Sequence, residues 1–213
     1  ASALGAPSRS RSLLTSGERS ALAVAALLGA ASCALCYLFL TDRFDVEYVG
    51  SYSSRAMPIL FKVAAFWGGH SGSLLLWVLV LSAFSAIVIF QNRNQNRGLI
   101  PYVVATLSGI MVFFLVLLNF TSNPFELLGF TPPDGKGLNP QLQTPLMAIH
   151  PPCLYLGYVG VAVPYAFAMA ALLSGRVGDV WIRTTRRWTL FAWLFLGVGL
   201  LLGGYWAYIE LGW

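Results

Sequence analysis

Residues 72–90 of the chain read GSLLLWVLVLSAFSAIVIF, a run of nineteen residues without a charged side chain. A helix of about 20 apolar residues is long enough to cross the hydrocarbon layer of a bilayer. A lone strand cannot cross it, because its backbone amide and carbonyl groups would find no hydrogen-bond partners in lipid. The stretch therefore predicts a transmembrane helix.

Four further apolar runs of similar length flank this stretch, at residues 20–40, 99–120, 153–173 and 188–208. The 213-residue chain is 57% hydrophobic and 10% charged, whereas a soluble domain carries about 25% charged residues. We therefore predict an all-α, polytopic membrane helix bundle with about five transmembrane helices. Residues 1–19 form a basic N-terminal flank and residues 20–213 the membrane domain. The partly apolar segments 58–69 and 145–152 are expected to lie at the membrane interface.

The basic residues are distributed unevenly between the two sides of this predicted bundle. Nine of the thirteen fall on one side: Arg9, Arg11, Arg19, Arg93, Arg97, Arg176, Arg183, Arg186 and Arg187. By the positive-inside rule this side is the cytoplasmic one, or the matrix side in a mitochondrion. The net charge of +5 thus reflects topology rather than nucleic-acid binding. The long loops after the first and third helices lie on the outer side, together with both histidines.

His150 precedes Pro151 and Pro152. A residue before proline avoids the helical region, whereas proline suits the first turn of a helix. We therefore expect the imidazole at a helix entrance. From the residues alone, His150 is either an axial ligand of haem iron or a hydrogen-bonding residue at the interface.

His70 lies in a glycine-rich segment, WGGHSGS over residues 67–73. Glycines permit tight turns and close backbone approach, and Ser71 or Ser73 has the side chain of a helix cap. The segment predicts a rigid corner before the second membrane helix. A structural role for His70 and a role in a ligand pocket both stay open.

Aromatic residues and glycines alternate at the end of the chain, which reads GGYWAYIELGW over residues 203–213. Such a segment is either an interfacial aromatic belt or a platform for a flat ligand such as a porphyrin. Gly199 and Gly203 have a spacing that is typical of close helix packing.

Cys33 and Cys36 form a C-x-x-C inside an apolar run, and no histidine follows it. The pair is therefore not a c-type haem attachment site. A redox pair would need an exposed thiolate, which lipid disfavours. We expect both cysteines to be small core residues.

Five segments together resemble the CcmF/NrfE family of cytochrome c haem lyase subunits. In order they are FWGGHSGSLLLW (66–77), TSNPF (121–125), GLNPQLQ (137–143), HPPCLYLGY (150–158) and WAYIELGW (206–213). Enzymes of that family receive haem from a periplasmic haem chaperone and join its vinyl groups to the two thiols of a C-x-x-C-H in apocytochrome c. The resemblance implies a part in cytochrome c biogenesis, with partners among the other maturation subunits and no nucleic acid.

The resemblance also implies roles for individual residues. His150 occupies the position of the family's external axial ligand to the haem iron, and His70 falls in a motif for which only a structural or haem-pocket role follows. The edge of a haem platform is implied for residues that lead into the family's tryptophan-rich haem-binding segment: Trp206, Tyr208, Glu210 and Trp213. Cationic partners for the haem propionates are expected among Arg43, Arg55, Lys62 and Lys136. No catalytic group is implied.

Some features of the family have no counterpart in this sequence. The first transmembrane helix, the second external histidine and the histidines that hold a resident haem b are missing, and Ser71 stands where the family often has glutamate. We therefore expect the N-terminal part of a haem lyase rather than a complete enzyme. The expected location is the bacterial inner membrane with His70 and His150 on the periplasmic side, or alternatively the mitochondrial inner membrane. A haem transporter component and a structural subunit of a split lyase are the other hypotheses.

Overall fold

The computed structural model describes residues 11–212, and this part of the chain is a bundle of α-helices. The long helices are α1 (Arg11–Leu40), α4 (His70–Gln91), α5 (Ile100–Phe120), α6 (Pro145–Gly160) continued by α7 (Ala162–Ser174), and α8 (Val180–Leu211). Shorter elements are α2 (Glu47–Tyr52), α3 (Ile59–Ala64) and two 3₁₀ turns, Ala65–Trp67 and Pro140–Leu142. With α6 and α7 counted together, five helices are long and apolar enough to cross a membrane. The prediction of an all-α polytopic membrane bundle is confirmed. Residues 1–10 of the basic flank and Trp213 lie outside the described residues.

Segment 145–152, which we expect at the membrane interface, forms the first two turns of α6, so this helix begins earlier than the predicted start at residue 153. The helix begins early because the Thr144 hydroxyl caps it, accepting a hydrogen bond from Met147 N at 3.3 Å. Pro145 follows at the first helical position, where its missing N–H costs nothing. Segment 58–69 contains α3 and the turn Ala65–Trp67, neither long enough to cross a bilayer.

Helix α6 passes into α7 through a break at Val161. Pro164 follows in the first turn of α7 and has no N–H to donate to the carbonyl of Gly160. The two helices nevertheless form one span, residues 145–174, with a hydrogen bond from Tyr165 N to Val161 O at 3.2 Å across the break. The proline thus removes one helical hydrogen bond without ending the span.

The most extensive helix contact in the bundle joins α6 and α8. Small residues make it close: a Cβ on Gly157 would collide with the backbone nitrogen of Leu196, and a Cβ on Gly160 would lie 3.2 Å from the Cβ of Ala192. Two backbones that approach this closely gain many dispersion contacts, which is the main force between helices in lipid. The register of α8 against α6 is therefore fixed along their common length.

The cysteine prediction is wrong for Cys33, which is exposed, while Cys36 is half-buried. The buried face of α1 is set by residues that recur every three or four positions: Leu28, Ser32, Leu35 and Phe39. Cys33 follows Ser32 by one residue, so the helix turns its thiol away from that face.

The two long loops pair with each other at one end of the bundle. Val46 and Leu127 form an antiparallel bridge, and Lys136 N donates to Gly50 O at 2.8 Å. Farther along, Asp134 caps the neighbouring loop by accepting from Arg55 N at 2.9 Å. These backbone bonds hold both loops over the ends of the helices, where the two histidines lie.

Candidate functional site

The imidazole of His150 is half-buried between α6 and α8. Its Nδ1 lies 3.1 Å from the carbonyl oxygen of Gly199. A carbonyl can only accept, so Nδ1 carries the proton and donates it. In a neutral imidazole the other nitrogen, Nε2, then keeps its lone pair. The backbone of α8 thus fixes the ring in the tautomer that can bind a metal through Nε2.

Two glycines of α8 let His150 and its helix come this close. A Cβ on Gly203 would lie 2.7 Å from Cε1 and 2.9 Å from Nδ1 of His150. A Cβ on Gly199 would lie 2.8 Å from the backbone nitrogen of Leu154. All three distances are shorter than an ordinary carbon contact of about 3.5–4.0 Å. The spacing of Gly199 and Gly203 therefore serves helix packing, as predicted, and at Gly203 it also makes room for the imidazole.

Trp206 lies beside His150, one turn after Gly203. The indole and the imidazole are nearly parallel, with an interplanar angle of 10° and ring centroids 6.4 Å apart. The indole Nε1 donates to the carbonyl oxygen of Gln141 at 3.2 Å, which ties Trp206 to the loop before α6. Trp206 thus forms a fixed wall next to the histidine. Sequence reasoning missed Gln141, because only its backbone takes part.

The other aromatic-segment residues divide between two faces of α8. Glu210 is half-buried and follows Trp206 by four positions, so it lies on the same face. Tyr208 is 66% exposed and lies about 200° around the helix axis from Trp206. The structure therefore brings Trp206 and Glu210 to the side of His150 and does not bring Tyr208 there. Trp213 lies outside the described residues.

The prediction that His150 marks a helix entrance is wrong, since the residue lies inside α6. Pro151 has no N–H, so it cannot make the usual helical bond to the carbonyl of Met147. That carbonyl instead accepts a hydrogen bond from Nε1 of Trp67 at 3.1 Å. The indole thus supplies the donor that the proline lacks, and the helix continues through His150. Proline predicts the orphan carbonyl, but nothing in the sequence identifies Trp67 as its partner.

His70 lies at a different place, at the first residue of α4. It is exposed and lines a polar cavity of about 300 Å³ together with Glu47, Glu126 and Tyr52. Neither Ser71 nor Ser73 caps the helix, because Gly69 is the capping residue and both serines fall inside the first turn. The lining of this cavity does not include His150.

The glycine-rich corner before His70 is locked by Tyr48. Its hydroxyl accepts from Gly69 N at 3.0 Å and donates to Phe66 O at 3.1 Å. Burial of the side chain raises the pKa of Tyr48 far above its ordinary value, so the hydroxyl stays protonated and keeps its donor. A Cβ on Gly72 would collide with the Phe66 carbonyl oxygen. The predicted rigid corner is therefore present, and glycine is required in it.

Three of the four candidate cations are held by other groups in the loops. The guanidinium of Arg55 lies over an aromatic ring, 5.8 Å from the centroid of Phe44. The ion pairs are Lys62 Nζ with Asp42 at 2.5 Å and Arg43 with Asp45 at 2.7 Å. Hydrogen bonding to Arg43 lowers the pKa of Asp45. Lys62 is buried, so we assign it to structure rather than to a propionate.

Asp134 is the anchor of the outer loop that follows α5. Its Oδ1 accepts from Arg55 N at 2.9 Å and from Gly135 N at 2.8 Å. These backbone N–H groups, that of Arg55 first, lower the pKa of the Asp134 carboxyl. The carboxylate form therefore holds the two loops together.

The site offers a single nitrogen ligand rather than a metal cage. Within residues 11–212 no group of three or more histidine, cysteine or acidic side chains has the arrangement to hold a metal ion. One imidazole suits an iron that already has four nitrogen ligands in a porphyrin. The donor set at His150 therefore fits haem and does not fit a bare metal ion.

Comparison with known proteins identifies the family of the chain. The family model described as cytochrome C assembly protein matches residues 67–213. CcmF of Pseudomonas aeruginosa, a cytochrome c-type biogenesis protein, is 48% identical over 189 residues, which are 88% of this chain and 29% of that protein. NrfE of Haemophilus influenzae is 44% identical, covering 84% of this chain and 28% of NrfE.

A solved structure has the same fold. The cytochrome c haem lyase CcmF superimposes on 97% of this chain with a TM-score of 0.82 and 29% sequence identity. The match spans 32% of that lyase. The chain thus spans about a third or less of the length of the proteins that it matches.

Proposed function

Because the chain belongs to the cytochrome c assembly protein family, we propose that it holds haem by its iron while haem is joined to apocytochrome c. His150 Nε2 is the axial ligand in this proposal. The observation that carries it is the hydrogen bond from His150 Nδ1 to Gly199 O at 3.1 Å. This bond leaves Nε2 unprotonated, as an iron ligand must be.

The reaction is the addition of a cysteine thiol across a haem vinyl group. An S–H bond and one C=C π bond break, while a C–S and a C–H bond form, so no net oxidant or reductant is consumed. The contribution of this chain is orientation: an iron held at one nitrogen fixes where the vinyl carbons lie relative to the incoming thiols. No catalytic acid or base among the described residues is needed for that role.

The remaining site residues have supporting roles in the proposal. An axial imidazole stands perpendicular to the porphyrin, and the Trp206 ring is within 10° of parallel to that imidazole. Trp206 would therefore meet the haem with its edge, as a wall beside the ligand rather than a stacking platform. Glu210 lies on the same face, nearer the outer end of α8. His70, in a separate cavity, and Tyr208, on the other face of α8, take no part in the proposal.

We place this site on the periplasmic side of a bacterial inner membrane. Described residues of the opposite end include Arg93, Arg97, Arg176, Arg183 and Arg187, which the positive-inside rule assigns to the cytoplasm. The haem is of the b type before attachment, and it arrives from a haem chaperone. Apocytochrome c and other maturation subunits are the partners.

The test is haem binding by the intact protein with His150→Ala, compared with His70→Ala as the matched control. We expect His150→Ala to lose the absorbance of the external haem and the formation of holocytochrome c, whereas His70→Ala keeps the haem. Equal haem content in the wild type and His150→Ala would disprove the ligand role.

A second variant separates loss of the ligand from loss of the fold. His150→Gly removes the imidazole and leaves space for a free one. Added imidazole should restore the haem spectrum in this variant, as expected if only the iron ligand is missing. If imidazole restores nothing although the protein keeps its helical circular dichroism, His150 has a structural role instead.

A further inference from the structure

A large cleft lies at the end of the bundle opposite to His150, between the end of α4 and the beginning of α8. Its volume is about 950 Å³, which is within the range of small-molecule sites. The cleft is far larger than the polar cavity at His70, and the proposed haem chemistry makes no use of it. Along the direction of the helices, the residues that line it change from charged and polar to apolar.

The outermost part of the cleft is cationic. Arg183 and Arg187 line it, one turn apart on α8. Arg183 is neutralised by Asp179 at 2.6 Å. Within residues 11–212 Arg187 forms no ion pair, and its side chain is exposed. The cleft therefore presents one uncompensated positive charge at its mouth.

Hydrogen-bonding groups lie at the same depth as the two arginines, because Thr184 directly follows Arg183 and Trp188 directly follows Arg187 on α8. Trp188 Nε1 donates to the side-chain oxygen of Gln91 at 3.3 Å, which joins α8 to the end of α4. Asn96 donates to the hydroxyl of Thr184 at 3.1 Å. Tryptophan with its N–H engaged at the end of a span is typical of the level where headgroups meet hydrocarbon.

The innermost part is apolar and lies along the membrane spans. Phe84, Ile87 and Phe191 line it. Phe84 packs edge-on against Trp188 and Phe191, with ring centroids 5.2 Å and 5.8 Å away. Helix α8 has 32 residues and is about 48 Å long, so its first turns project beyond a hydrocarbon layer of about 30 Å. The cationic part of the cleft thus lies at headgroup depth and the aromatic part at acyl-chain depth.

We propose that this cleft binds an anionic glycerophospholipid. The phosphate would contact Arg187, the glycerol oxygens would face the amide groups beside Trp188, and an acyl chain would lie along Ile87. An amphiphile matches the change from a polar, cationic surface at Arg183 to an aromatic surface at Phe191, two helical turns along α8. A free phosphate would leave the apolar part uncovered, and an apolar helix would bury Arg187. Basic pockets between membrane helices on the cytoplasmic side are known to bind such headgroups.

The test is native mass spectrometry of the intact protein with phosphatidylglycerol, and with phosphatidylcholine of the same acyl chains. We expect retention of phosphatidylglycerol over phosphatidylcholine. Arg187→Gln should weaken that retention about fivefold, the effect of one interfacial cation on an anionic lipid. Arg186→Gln is the matched control, because Arg186 is also exposed, has the same charge and does not line the cleft. It should leave retention unchanged.

Three results would overturn the proposal. Equal losses in Arg187→Gln and Arg186→Gln would indicate attraction to general surface charge. Displacement of the lipid by excess inorganic phosphate would indicate a site for a free anion. Equal retention of the two lipids by the wild type would show that the cleft has no preference for an anionic headgroup. Haem binding at His150 is measured separately and is independent of all three.

Discussion

The replacement Gly203→Ala tests whether close helix packing sets the position of the proposed iron ligand. The new Cβ would lie 2.7 Å from Cε1 and 2.9 Å from Nδ1 of His150. An unstrained carbon contact is about 3.5–4.0 Å, so the ring must move by about 1 Å or the two helices must separate. Either movement lengthens the 3.1 Å hydrogen bond from Nδ1 to the carbonyl of Gly199.

The expected magnitude follows from these two effects. For the free energy of unfolding, overpacking costs about 1–3 kcal/mol, and the lost hydrogen bond costs about 0.5–1.5 kcal/mol. Better helix propensity of alanine returns about 1 kcal/mol. Removing the hydrogen-bond partner that orients a ligating histidine lowers metal affinity about 10–100-fold. We therefore expect Gly203→Ala to bind haem at least about tenfold more weakly than the wild type.

The assay is titration of the intact, detergent-purified protein with haem, followed by the difference absorbance of the bound form. Gly204→Ala is the control, because this neighbouring glycine is on the same helix and a Cβ there meets no atom within 4 Å. Gly204→Ala should bind haem as the wild type does. If the two variants have equal affinities, packing at Gly203 does not position the ligand, and our account of the site is wrong.

Two further predictions concern stability. Trp67→Phe removes the donor to the half-buried carbonyl of Met147 and should lower the free energy of unfolding by about 1–3 kcal/mol. An unchanged midpoint of thermal unfolding in detergent would contradict this. Asp134 has a lowered pKa in the folded protein, so its contribution to loop stability is present above its ordinary pKa near 4 and is lost as pH falls below that value. We therefore expect the protection of the Arg55 and Gly135 amides from hydrogen exchange, relative to their intrinsic exchange rates, to fall with acid in the wild type. In Asp134→Asn this acid dependence of the protection should be absent, and its persistence would indicate another titrating group.

Hydrophobicity determines most of this fold, which is why the sequence predicts the spans well. Each span must satisfy its own backbone and present apolar side chains to lipid, and both demands are visible in apolar runs such as residues 72–90. Helix ends are less predictable. The start of α6 depends on the Thr144 cap and on a remote indole at Trp67, so apolarity alone suggests a start near residue 153.

The sequence indicates part of the candidate site but not its arrangement. Motif resemblance indicates His150 and Trp206, and the G-x-x-x-G spacing predicts close packing. The sequence does not reveal that Gly203 packs against His150 itself, because the register between α6 and α8 results from the whole helix contact. The same applies to Cys33, whose exposure depends on which face of α1 is buried.

The hydrogen bond from Trp67 to Met147 joins the two histidine-containing segments of the chain. Trp67 lies three residues before His70, and Met147 lies three residues before His150. The indole is needed there because Pro151 lacks an N–H. Replacing Pro151 by another residue would restore a backbone N–H that can donate to the Met147 carbonyl, and the indole of Trp67 would no longer be needed. Replacing Trp67 alone would leave that carbonyl without a donor. The two positions therefore depend on each other structurally, although 84 residues separate them.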